Sequence, residues 1–305
     1  ACVQAGACEL PATGEACNGV ERGEHPVNCV SWQDAARFCS WAGLQLPTEA
    51  EWEKAARGPR GRTYAWGDEP PGGAGNCERA VMMRAGRGLG CGHNGTAPRG
   101  SAPGGDSPYG MQDMTGSVWE WTADVYATDF YATAPRENPV NGGSGERRSV
   151  RGNSWYYVDP NPDLRAANRY AFAASRWLPF TGFRCAQSSI TVDGPTATAV
   201  SLAGSWMERN IAARLLVGDV PGAGVTDGEM VHIPEGVFVL GSEDGDSDER
   251  PVREIFLDAY FIDRTEVTVA AYRTCVEAGG CSEPHSDYSA YRLDFEAHYL
   301  NWNRP

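Results

Sequence analysis

Ten cysteines carry the widest choice of chemistry in this chain, because a thiol can bind a soft metal, act as a nucleophile or oxidise to a disulfide. Their spacing narrows the choice. Eight fall into local pairs, Cys2/Cys8, Cys17/Cys29, Cys77/Cys91 and Cys275/Cys281, leaving Cys39 and Cys185. Zinc sites are built from C-x-x-C pairs or from cysteines with closely spaced histidines. No C-x-x-C occurs, and the five histidines (25, 93, 232, 285 and 298) are scattered. An even count without metal spacing predicts five disulfides and an extracytoplasmic setting: secreted, periplasmic or on the cell surface. A first residue Ala1 rather than Met fits a leader trimmed away or lying upstream.

The other chemistries are weaker. The run Asp244-Gly245-Asp246-Ser247-Asp248-Glu249 starts like an EF-hand loop, but position six is Glu249 and position twelve is Ile255, where Gly and Glu are required. It reads as a solvated hairpin loop. Ser117 and Ser154 have no histidine at a readable spacing, so no hydrolase triad is supported. Asp and Glu number 40 against 26 Lys and Arg, a net charge of −14 with no basic cluster, which excludes phosphate-backbone binding. No apolar run approaches the ~18 residues of a membrane span. Trp32, Trp41, Trp52, Trp119 and Trp121 read as core anchors, whereas Tyr156, Tyr157, Trp177 and Phe180 are candidates for an exposed aromatic groove.

Several elements must position these residues. Gly 37 and Pro 20 in 305 residues indicate a loop-rich fold. Val30–Gly43 has helical spacing of apolar or small residues at 35, 38, 39 and 42, closed by Gly43. A second helix starts at Thr48, with Glu51 completing a capping box, and stops at Gly58-Pro59. Residues 188–228 are low in charge and rich in Gly, Ala, Thr and Ser, a linker composition that also holds a short helical pattern at Met207–Leu216. From 229 to 269 the pattern alternates as strands do. The phrase C-V-x-A-G-x-C-x-x-P occurs at Cys2–Pro11 and again at Cys275–Pro284, 273 residues apart, the mark of a tandem repeat.

Six further motifs carry a resemblance. Pro26–Trp32 (PVNCVSW), Leu46–Glu53 (LPTEAEWE), Gly95–Pro98 (GTAP), Tyr109–Trp121 (YGMQDMTGSVWEW), Arg151–Trp155 (RGNSW) and Gly182–Cys185 (GFRC) resemble, in order and spacing, the formylglycine-generating enzyme (sulfatase-modifying factor) family. The match covers about 1–187 and implies the later two-thirds of such a domain. The opening of a second copy follows the linker in Met230–Phe238 (MVHIPEGVF), Gly241-Ser242 and Glu266-Val267-Thr268, so 229–305 resembles its first third. The resemblance implies an α+β, C-type-lectin-like fold with little regular structure, its parts here in permuted order. A linker of about 40 residues has a mean reach of about 35 Å, so 229–270 is expected to fold back on 1–187, with Phe238 or Phe261 touching its core.

For the site, the resemblance implies copper held by two cysteines after the RGNSW motif. They would fall at Tyr157 and at Asn161 or Pro162, and no cysteine lies between Cys91 and Cys185. Copper chemistry is therefore not expected. Cys39–Cys185 corresponds to a family disulfide, while a second family bridge would fall on Ala56 and Ala166. A calcium site corresponds to Asp113 with main-chain oxygens of Met114, Gly116 and Val118. A first calcium site has lost its acid to Cys91, and a Cys77–Cys91 disulfide is expected to replace it beside Asn76 and His93. Tyr156, Tyr157, Asn161 and Trp177 lie where relatives hold substrate. The expected function is a non-catalytic binding or structural module for a protein or peptide ligand, within a longer multidomain chain. The alternative is a diverged oxidoreductase acting on a protein or small molecule in the same cleft.

Overall fold

The computed structural model describes residues 17–71, 76–83, 88–156, 164–188 and 229–285. Helix α1 (Trp32–Trp41) starts at Ser31, whose hydroxyl caps Asp34 N–H while the Asp34 carboxylate accepts from Ser31 N–H. Helix α2 (Glu49–Arg57) is capped the same way by Thr48 and Glu51. Gly58 ends it with φ +69°, a conformation that favours glycine. The remaining elements are short: β1 (Trp119–Val125), α3 (Phe130–Thr133), β2 (Arg147–Arg151), β3 (Tyr170–Ala173), β4 (Thr181–Gly182), β5 (Ala186–Gln187), β6 (Met230–Ile233), β7 (Gly236–Leu240), β8 (Arg253–Leu257), β9 (Tyr260–Asp263) and α4 (Val269–Glu277).

Three sheets result, in the orders β3-β2-β1-β4, β5-β9-β6 and β7-β8. In the first, β1 pairs antiparallel with β2 and parallel with β4. The second joins distant parts of the chain, because Ala186 lies opposite Ile262 and Gln187 opposite Phe261. Val27 N–H also donates to Val267 O (2.8 Å), and Lys54 Nζ reaches Pro234 O (2.7 Å).

The two larger apolar cores mix the two segments. One packs Phe38, Trp119, Trp121, Val150 and Phe183 with Val267, Val269 and Tyr272. The other packs Trp52, Met111, Met114 and Tyr131 with Phe238, Leu240, Ile255 and Ile262. Ala56 and Ala166, where the second family disulfide would lie, are both buried in this second core.

Every residue of α2 is buried, its charges included. Such burial requires paired charges, and partners come from across the fold. Glu49 receives Arg151 (2.9 Å) and Arg169 (2.8 Å), which hold its carboxyl down to about 2 against the opposing effect of burial. Glu53 receives Arg57 (2.5 Å), Arg151 (2.7 Å) and the Tyr131 hydroxyl (2.8 Å).

The structure closes Cys17–Cys29, Cys39–Cys185, Cys77–Cys91 and Cys275–Cys281, while Cys2 and Cys8 lie outside the described residues, as does the Met207–Leu216 pattern. One expectation is corrected. The acidic run is not a purely solvated loop, because Asp248 and Glu249 are buried. Glu249 takes both Nη groups of Arg165 at 2.6 Å, and Asp248 accepts from the Tyr126 hydroxyl at 2.6 Å.

Candidate functional site

The turn 113–118 is shaped by three left-handed residues, Asp113 (φ 56°), Gly116 (φ 81°) and Ser117 (φ 59°). A Cβ on Gly116 would come within 2.6 Å of Val81 O, so the close approach of that backbone requires glycine. Gly116 N–H donates to Gly152 O (2.8 Å) and Ser117 N–H to Val81 O (2.9 Å), pinning the turn on both flanks. Asp113 is buried, and its Oδ2 accepts from Gly100 N–H at 2.6 Å. Burial raises its carboxyl to about 6.

Next to this turn stands a residue that sequence reasoning missed. Glu266 is buried, and neither of its carboxylate oxygens has a hydrogen-bond partner. Burial first, then Asp113 and Glu120, push its carboxyl well above the usual range. Thr115 Oγ1, inside the turn, is also buried without a partner. Glu266 was legible only as part of the Glu-Val-Thr motif and carried no chemical signal of its own. Arg184 ties the two sides, donating to Glu120, to Gln112 O (3.0 Å) and to Asp263 O (3.0 Å), and its charge acts on both Asp113 and Glu266. Among the described residues, no three His, Cys, Asp or Glu side chains gather as a metal cluster. A hard cation here would therefore depend on main-chain oxygens as well as carboxylates.

Where the resemblance led to the expectation of a replaced calcium site, Cys77–Cys91 joins the short 3-10 turns Asn76–Glu78 and Leu89–Gly92, with His93 closing the second. Of the residues expected to line a cleft, Tyr156 is half-buried and packs edge-on to Trp155 (5.6 Å between centroids) and near Phe180 (6.5 Å). Trp177 stacks flat on His285, 4.7 Å away and 5° from parallel. Phe180 is not exposed as the sequence suggested. It is a core residue, because Phe172 packs 6.0 Å from it within the aromatic cluster under β3. Tyr157 and Asn161 lie outside the described residues. All eight described cysteines are in disulfides, so none of them offers a thiolate for Cu(I).

The model of the sulfatase-modifying factor enzyme 1-like (FGE-sulfatase) domain matches residues 3–189 and again 218–304. The chain belongs to that family. This chain is 40% identical over 188 residues to the formylglycine-generating enzyme of Streptomyces coelicolor, covering 58% of this chain and 57% of that protein. It is 33% identical over 173 residues to the inactive C-alpha-formylglycine-generating enzyme 2 of Mus musculus, covering 55% and 51%. It is also 34% identical over 168 residues to the serine/threonine-protein kinase pkn1 of Chlamydia pneumoniae, covering 54% of this chain and 24% of that protein. The chain spans little more than half the length of the formylglycine-generating enzyme it matches. As an FGE-sulfatase member it has the expected α+β architecture, and no described helix is long and apolar enough to cross a membrane.

Proposed function

We propose that this FGE-sulfatase domain is a non-catalytic, exported module that binds a protein or peptide ligand and takes structural calcium. One observation carries the reading: no cysteine exists between Cys91 and Cys185, and the described cysteines are all oxidised to disulfides. Copper oxidation of a substrate cysteine needs soft thiolate ligands, and the residues present do not fit that metal. The likeness to a protein described as inactive supports the same reading, and the disulfides are consistent with export. Resemblance to part of a kinase supports a place in a longer multidomain chain.

Calcium fits the 113–118 turn. Asp113 and Glu266 supply hard carboxylate oxygens, and Met114, Gly116 and Val118 supply main-chain ones. The unpartnered oxygens of Glu266 are the structural reason for including it. Bound there, the ion would favour the ionised carboxylates that burial otherwise disfavours. Tyr156 and Trp177 are the proposed aromatic contacts for a peptide, together with Tyr157 and Asn161, which lie outside the described residues. We also infer that 229–305 serves as the opening third of the domain whose body is 1–187. Pairing of Ala186 with Ile262 and burial of Phe238 beside Trp52 support that reading.

The test combines a Cu(I) titration against a competing chelator with a thermal melt in EDTA and in calcium. Stoichiometric copper binding, or turnover of a cysteine-containing peptide, would replace the proposed function with the diverged oxidoreductase. A calcium-insensitive melt would remove the metal from it.

A further inference from the structure

The loop Cys275–His285 sits against α1 through contacts that depend on its own residues. Arg37 Nη1 donates to Ser282 Oγ (2.8 Å), and His285 N–H donates to Cys29 O (3.1 Å). The His285 ring lies on Trp177, and Tyr272, just before the loop, stacks on Phe38 with centroids 5.6 Å apart. At the centre, Gly280 faces the Trp41 ring so closely that a Cβ would lie 2.7 Å from its Nε1 and 2.8 Å from its Cγ. Gly280 is not in the left-handed region, so its backbone alone would accept alanine.

The sequence carries a second version of this segment at Cys2–Ala12, identical in its C-V-x-A-G-x-C-x-x-P frame. It differs at the positions that make the contacts. Ala7 stands at the place of Gly280, Glu9 at that of Ser282 and Ala12 at that of His285.

We propose that the surface of Arg37, Trp41 and Trp177 is a selective recognition surface for the Cys275–His285 loop, and that Trp41 rejects the Cys2–Ala12 loop through Ala7. In a chain built from repeats, this surface decides which opening segment a given body accepts. Gly-to-Ala exclusion works because Trp41, half-buried and packed on Phe38, would have to shift its ring to admit the added methyl.

The test is amide hydrogen exchange by mass spectrometry on the full chain, reading His285 against Ala186 as an internal reference. In Gly280→Ala the His285 amide is expected to exchange about tenfold faster or more, with Ala186 unchanged. Trp41→Ala in the same chain should restore His285 protection to that of Trp41→Ala alone. Unchanged protection in Gly280→Ala would show that Trp41 simply turns aside and would overturn the proposal. So would a loss that Trp41→Ala does not rescue, or protection of the 2–12 amides in place of 275–285 in the unmodified chain.

Discussion

Arg184 grips Glu120 with both edges of its fork, Nε to Oε2 at 2.6 Å and Nη2 to Oε1 at 2.7 Å. The remaining guanidinium nitrogen, Nη1, donates to the carbonyls of Asp263 and Arg264. One buried cation thus links the β1 strand to the segment that returns after residue 229. Arg184→Met should cost ~3–5 kcal/mol, because Glu120 would remain buried without its partner. Urea unfolding measures it; a change below about 1 kcal/mol would mean that the pair contributes little.

Cys39–Cys185 closes a loop of 146 residues. The double variant Cys39→Ala/Cys185→Ala should lower stability by about 5 kcal/mol on the chain-entropy estimate. Chemical denaturation of the two proteins compares them directly, and equal midpoints would rule out a stabilising role for the bridge.

Asp263 is held up at about 7 by burial, which outweighs its bond from Cys185 N–H and the nearby Arg184. A carboxyl raised in this way is more stably buried when protonated. Its contribution is complete below the unfolded value near 3.8 and is lost as pH rises through about 7. Stability should therefore decline across that window by an amount up to about 4 kcal/mol from this group. Asp263→Asn, which mimics the protonated form, should flatten the decline. Melting curves from pH 4 to pH 8 decide the matter.

Glu266→Gln tests the calcium assignment under two conditions. Without calcium the variant should be about as stable as the parent, since burial already favours the neutral form of Glu266 that Gln mimics. With calcium at a hundredfold excess over Kd the parent should gain about 2.7 kcal/mol, and the variant much less. An equal gain in both would exclude Glu266 from the ligand set.

Helices α1 and α2 were legible because their stop and start signals are local: Gly43 closes one, and Thr48 and Glu51 form the capping box of the other. The burial of α2 was not. Charged residues normally mark an exposed face, and Glu49 and Glu53 are inside only because Arg151 arrives from β2 and Arg169 from just before β3, about a hundred residues later. The acidic run misled for the same reason, since Arg165, which pairs with Glu249, lies 84 positions away. Phe180 read as exposed because nothing in its neighbours along the chain records that Phe172 and Tyr156 pack around it.

Residue identity alone settled which chemistry is ruled out. A thiolate pair cannot be recovered by folding when no cysteine occupies the stretch between Cys91 and Cys185. Identity also settled the family and the repeated cysteine phrase, and its spacing pointed to the local disulfides Cys17–Cys29, Cys77–Cys91 and Cys275–Cys281, because each depends on types and spacing along the chain. Tertiary structure decided what depends on approach through space: the seating of 229–285 against the body, the meeting of Arg151 with Glu49, and the fit of Gly280 under Trp41. Each of these turns on contacts of a few ångströms between residues more than a hundred positions apart, and spacing along the chain carries no measure of such distances.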